Sequence, residues 1–197
     1  MTTAQATREW LAAGLRPDRR GLGGTIFLLI LASGVLALSA KIQFPIGPVP
    51  FTMQSLVVLL IGLGYGSRLG TAALLAYLAE GAAGLPVFAG PAAGISYFAG
   101  PSAGFLIGFV LAAGLVGWLA EHGWGRGMAR LSVTLAAGHV LLFVPGVLWL
   151  AALAGWTNAL AVGVTPFITI TIVKTALGVA MVAAFRSALG KHPSSRA

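Results

Sequence analysis

Three residues of this chain have side chains able to do chemistry in surroundings where such side chains are expensive: Lys174, His139 and Ser102. Lys174 interrupts the apolar stretch Ile172-Val173-Lys174-Thr175-Ala176-Leu177. A cation at the centre of a membrane helix costs on the order of 2.5–3.5 kcal/mol, so it faces a cavity or a partner. Acting as counter-ion to a ligand carboxylate would account for that cost; snorkelling to the interface or pairing with Glu80 are the alternatives. Ser102 lies in Gly100-Pro101-Ser102-Ala103-Gly104, which matches the G-x-S-x-G nucleophile pattern. That pattern needs a strand–turn–helix setting with acid and histidine partners, and here it opens an apolar helix instead. A Ser102–His139 dyad, as in an intramembrane serine hydrolase, is the remaining catalytic arrangement. The expected depths oppose it, with Ser102 at an outer helix mouth and His139 about two turns from the inner end. His139 reads better as a neutral packing residue, and Glu121 as a solvated charge. There is no cysteine, which excludes disulfides and thiolate–metal sites. No His/carboxylate cluster suits a metal, and no phosphate-binding G-x-x-x-x-G-K-[ST] loop is present. No cofactor and no enzymatic activity are expected.

The elements that hold these residues must be membrane helices. Of 197 residues, 58% are apolar and 8% charged, with a mean hydropathy of +0.95. A soluble domain carries roughly 25% charged residues, so lipid must solvate most of this chain. A helix needs about 20 apolar residues to cross the hydrocarbon. Runs of that kind fall at 25–40, 51–64, 69–83, 104–120, 131–153 and 167–189, the second and third being short enough that a re-entrant hairpin would also fit. The reading is an all-α bundle of six transmembrane helices, with 1–24 a cytoplasmic N-terminal segment, 25–189 the helical domain and 190–197 a cytoplasmic tail.

Charge fixes the orientation. The net charge of +8 comes from basic residues too dispersed for a nucleic-acid surface. With six crossings and both termini inside, Arg8, Arg16, Arg19, Arg20, Arg68, Arg126, Arg130, Arg186, Lys191 and Arg196 all face the cytoplasm, as the positive-inside rule demands. The outer loops 41–50, 84–103 and 154–166 hold only Lys41. Cleavage of the first run as a signal peptide, after Ala37-Leu38-Ser39-Ala40, would put these basic loops on the wrong side.

The first two outer loops are apolar and stiff. The first carries Pro45, Pro48 and Pro50, which exclude helix; the second runs some twenty residues without a charge. Irregular backbone at membrane depth is tolerated where it lines a cavity, so the two loops are expected to cap an outward-facing pocket. Small residues recur every fourth position at Gly100, Gly104, Gly108 and Ala112, at Ala176, Ala180, Ala184 and Ala188, and at Ser33 and Ala37. Such lines let helices approach closely; most are expected to pack inside the bundle.

The loop strings resemble a known family. Ala40-Lys41-Ile42-Gln43 with Pro48-Val49-Pro50-Phe51-Thr52-Met53-Gln54, then Gly64-Tyr65-Gly66-Ser67-Arg68-Leu69-Gly70, Gly84-Leu85-Pro86-Val87-Phe88-Ala89-Gly90 and Gly100-Pro101-Ser102-Ala103-Gly104-Phe105 are similar to the BioY family, the biotin-specific S-components of energy-coupling factor transporters. Pro166-Phe167-Ile168 followed by Lys174 matches the family's helix 6 element in part. The resemblance implies a biotin-capturing subunit of the cell membrane, with the site beneath the outer loops. Its implied partners are a transmembrane coupling protein, meeting the Ser33–Ala37 face, and a pair of ABC-type ATPases. The family's acidic residue in helix 6 aligns with Thr171, which removes a charged acceptor; a related binder of another small carboxylate is the alternative. The site expected for biotin comprises Lys174 as the cation, Thr171, Ser96, Tyr97 and Gln43 as neutral hydrogen-bonding groups, Gly90 in the second loop, and Phe51 and Trp149 as apolar walls.

Overall fold

The computed structural model describes residues 21–44, 49–91 and 93–190, apart from the side chains of 189 and 190. In chain order the elements are α1 (Leu22–Lys41), β1 (Gln43–Phe44), β2 (Phe51–Thr52), α2 (Gln54–Ala82), a 3-10 turn (Ile95–Ala99), α3 (Ala103–Glu121), α4 (Met128–Ala154), α5 (Trp156–Gly163) and α6 (Phe167–Gly190). Among the described residues α1, α2, α3, α4 and, to Ala188, α6 are long and apolar enough to cross a membrane. The two strands form one antiparallel ribbon that pairs Gln43 with Thr52 and Phe44 with Phe51. Residues 1–20 and 191–197, which hold most of the expected terminal segments and six of the inner cations, lie outside the described residues, as does the Pro45–Pro48 stretch.

The two short spans form a single element, α2, broken at Gly66 with φ 79° and ψ 176°. In a straight helix Gln54 and Tyr77 would stand about 35 Å apart. Instead Gln54 Nε2 donates to Tyr77 Oη at 2.7 Å, and a Cβ on Gly70 would lie 3.2 Å from Gly62 Cα. The arms 54–65 and 67–82 therefore run antiparallel about Gly66, a position whose left-handed φ only glycine adopts cheaply. Glu121 fastens this turn: its carboxylate accepts from the Ser67 N–H at 2.7 Å and from Ser67 Oγ at 2.9 Å. Exposed but bonded, it satisfies free donors at the start of the returning arm, a role that its sequence setting as a solvated loop charge did not suggest.

Small residues bring the central helices into backbone contact. A Cβ on Gly108 would lie 3.0 Å from Leu142 C and Cα, and one on Gly117 only 2.7 Å from Ser67 Cα. Of the expected packing line, Gly104, Gly108 and Ala112 are buried and Gly100, before the helix, is half-buried. The line Ala176, Ala180, Ala184 and Ala188 is instead exposed, because α6 turns its Gly178–Val179 face inward, with Gly178 against Leu56 and Leu135. Around Lys174 α6 is apolar on most of its circumference, so periodicity could not place its alanine line. The expected connector 154–166 contains the short helix α5.

At one end of the bundle Lys41 Nζ reaches from α1 to the carbonyls of Phe88 and Gly90, at 2.9 and 3.0 Å. Trp149 Nε1 donates to the Gly100 carbonyl at 2.9 Å. The second loop is thus tied at two points. At the other end Arg186 Nη2 donates to the Gly125 carbonyl at 2.6 Å, close to where the Gly66 turn meets Glu121.

Candidate functional site

The loops, the ends of α2, α3 and α6 and the middle of α4 line a cavity of about 50 Å³. Its polar lining is Thr52, Gln54, Ser55, Tyr97, Ser102, Thr171 and Lys174. Phe105, Phe109, Leu142, Phe143 and Phe167 supply apolar walls. α6 carries Thr171 and Lys174 three residues apart, so both lie on one face. Lys174 is 5% exposed. Its ammonium donates to the Thr52 carbonyl at 2.6 Å and to Ser55 Oγ at 3.0 Å, which leaves one of its three donors uncommitted to these groups. No acidic side chain lines the cavity among the described residues. Glu80, a possible partner from the sequence, is taken by the Ser33 hydroxyl.

A hydrogen-bonded chain links this corner to the second loop. Thr52 Oγ1 donates to Gln54 Oε1 at 3.2 Å, Gln54 Nε2 donates to Tyr77 Oη, and Tyr77 Oη donates to the Val87 carbonyl at 2.8 Å. Gln54 and Tyr77 are buried, and buried polar groups linked this way stiffen their surroundings. Phe88 continues the wall, stacked on Tyr97 with centroids 4.5 Å apart. Burial pushes the Tyr97 phenol up, against the opposing pull of hydrogen bonding to Ser102 and to the Ala89 backbone; Tyr97 is therefore a neutral group at physiological pH.

Of the residues singled out from the sequence, Lys174, Thr171 and Tyr97 line the cavity. Phe51 is buried behind it, stacked on Phe167 at 4.1 Å. The other four lie off it. Gln43 belongs to the β-ribbon, and Ser96 is exposed on the 3-10 turn. Gly90 serves through its carbonyl as a Lys41 acceptor, and Trp149 braces Gly100. Ser33 is 2% exposed and bonded to Glu80, and Ala37 is half-buried. The small-residue face of α1 thus packs inward, and the helix turns Leu31, Val35 and Leu38 outward. Ser102 lines the cavity, but His139 does not engage it: His139 Nδ1 meets Thr175 Oγ1 at 3.0 Å and Nε2 has no partner. The sequence reading missed Thr52, Gln54, Ser55 and Phe167 as site residues. The signal was present, since the Pro50-Phe51-Thr52-Met53-Gln54 string carries polar residues at alternate positions straight into a helix start.

The comparisons with known proteins agree with this architecture. The BioY family model matches residues 17–191. The probable biotin transporter BioY of Pyrococcus horikoshii is 38% identical over 154 residues, covering 78% of this chain and 91% of its own length. The biotin transporter BioY of Thermotoga maritima is 35% identical over 150 residues, covering 72% and 83%. Among solved structures, the S-component for biotin from an ECF-type ABC transporter superposes with a TM-score of 0.69 over 95% of both chains at 24% identity, a likeness of fold. With its apolar helices and loop-capped cavity, the chain is a multi-pass membrane protein that belongs to the BioY family.

Proposed function

We propose that this protein captures biotin from outside the cell as the S-component of an energy-coupling factor transporter. The observation that carries the reading is Lys174. It is a buried ammonium at the polar end of an aromatic cavity, held by neutral oxygens and facing no carboxylate of the chain among the described residues. Biotin offers what that corner lacks, a carboxylate on an apolar tail. The aromatic walls suit the tail, and Thr171, Thr52, Gln54 and Tyr97 can bond the neutral ureido head. Ligand sites of this kind are mostly apolar with a few placed polar groups. Relatives named as biotin transporters support the choice of ligand.

Six crossings with both termini in the cytoplasm are part of the proposal. The antiparallel arms of α2 support the count, for they add a crossing to the five apolar helices. Arg68, Arg126, Arg130 and Arg186 gather at the Gly66–Glu121 end, as inner cations should. The partners would be a transmembrane coupling protein and an ATPase pair, since the sequence carries no phosphate-binding G-x-x-x-x-G-K-[ST] loop. With Ser33 buried, the exposed Leu31, Val35 and Leu38 face of α1 is the better candidate for the coupling contact.

Titration calorimetry of biotin against detergent-purified protein tests the reading. Tight binding that Lys174→Ala weakens by about tenfold or more, the worth of a charge-assisted hydrogen bond, supports it. Failure of the folded protein to bind biotin would reject it. A second reading, another small carboxylate, is favoured by one feature: the lining offers a ureido group no acidic acceptor. The Ser102–His139 hydrolase has no such support, because the two side chains are not bonded to each other.

A further inference from the structure

The cavity is too small for the ligand proposed for it. At about 50 Å³ it holds a few water molecules, whereas pockets for small organic ligands run to roughly 300–1,000 Å³. Something must move aside, and the structure offers one side chain with somewhere to go. Phe143 forms part of the cavity wall and also lines an apolar groove of about 990 Å³ between α4 and α6, open toward the lipid. Its ring meets Phe105 and Phe167 edge-on at 5.9 and 5.8 Å. Thr171 likewise borders both spaces.

The next layer down follows from helix geometry. Residues four apart on a helix share a face, so His139 lies directly beneath Phe143 on α4, and Thr175 beneath Thr171 on α6. These two are bonded to each other. Thr175 Oγ1 donates its proton to the Thr171 carbonyl at 2.8 Å, so it must accept from His139 Nδ1 at 3.0 Å. The neutral imidazole is therefore protonated on Nδ1, and Nε2 presents a bare lone pair. That nitrogen is the single buried side-chain polar atom among the described residues with no hydrogen-bond partner, and His139 as a whole is 2% exposed. A buried acceptor left unpaired is destabilising, a cost with no return in the ligand-free protein.

We propose that His139 is a ligand-binding residue: Phe143 swings into the α4–α6 groove, the cavity deepens by one helical turn, and His139 Nε2 accepts a hydrogen bond from an N–H of the ligand. The inference rests on the biotin reading, whose ureido head brings two N–H donors into a site lined by no acidic acceptor. His139 would then do with a lone pair what a carboxylate would do with a charge. The proposal also accounts for the groove and the cavity sharing Phe143 and Thr171 as common walls, since the groove is the volume into which the displaced ring moves.

Two measurements on the full chain in detergent test it. In protein labelled with 15N-histidine, the resonance of the unprotonated Nε2, assigned by its loss in His139→Leu, should shift on addition of biotin. Calorimetry should show His139→Leu binding biotin about tenfold more weakly, while the thermal midpoint of the ligand-free variant equals or exceeds that of the wild type. A histidine that merely packs would give the reverse, a lowered midpoint with unchanged affinity, and that result overturns the proposal. So does an unmoved Nε2 resonance in protein saturated with biotin. Wild-type protein that binds no biotin overturns the biotin reading itself, a different outcome from biotin binding that ignores His139.

Discussion

Gly108→Ala is the sharpest test of how the cavity is built. The added methyl would collide with the Leu142 carbonyl oxygen and lie 3.0 Å from two backbone carbons of Leu142, whereas carbon atoms attract best at about 3.5–4.0 Å. Backbone cannot rotate away as a side chain can, so α3 and α4 must separate by about 0.5–1 Å. Overpacking of this kind costs about 1–3 kcal/mol, and for a chain of this length each kcal/mol lowers the midpoint by about 2–4 °C. The expected fall is therefore roughly 2–12 °C, read by intrinsic tryptophan fluorescence during a thermal ramp in detergent. Phe109 and Leu142, next to the contact, line the cavity, so biotin affinity should fall with the midpoint. Gly34→Ala is the control, because no atom lies within 4 Å of its added carbon. Equal midpoints and affinities for wild type and Gly108→Ala would refute the close-contact account of the α3–α4 interface.

Two further outcomes follow from the ties at the bundle ends. Lys41→Met removes the donors that hold the Phe88 and Gly90 carbonyls; stopped-flow displacement should show biotin leaving several-fold faster, since a freed second loop covers the cavity less well. Glu121→Ala strips the acceptor from Ser67 at the Gly66 turn and should cost about 1 kcal/mol, the usual worth of a helix cap. A thermal ramp with a midpoint unchanged within error would show that the turn needs no fastening.

The membrane class, the helical segments and a cavity capped by the apolar loops were legible because they rest on composition, run length and proline-stiffened loops without charge. Lys174 was legible for the same reason: a lone cation in an apolar run has few places to be. What escaped notice depends on direction rather than type. Ser33 and the Ala176–Ala188 line have the right spacing for contact surfaces, yet one faces in and the other out, and helices apolar on every side give no periodicity to tell which. Trp149 and Gln43 looked like cavity groups from depth alone; rotation about the helix axis sends Trp149 to Gly100, and strand pairing fixes Gln43. Gln54 was overlooked because its role depends on Tyr77, 23 residues away, a neighbour only once Gly66 has reversed the chain.

That reversal also sets where the site sits in the bilayer. The arm from residue 54 to residue 65 rises only about 18 Å from its turn, against a hydrocarbon thickness of about 30 Å. In the proposed orientation, which puts Gly66 at the inner surface, Gln54 and the Thr52–Lys174 corner stop well short of the outer one. In that orientation the mismatch is met by protein: the uncharged stretches 49–53, 84–91 and 93–103 would occupy the depth that the short arm leaves, standing in for acyl chains. On the proposed function, binding would take place in a well sunk below the level of the surrounding lipid headgroups, where the low dielectric strengthens every bond a ligand makes and where loops with charged side chains would be too costly to fold.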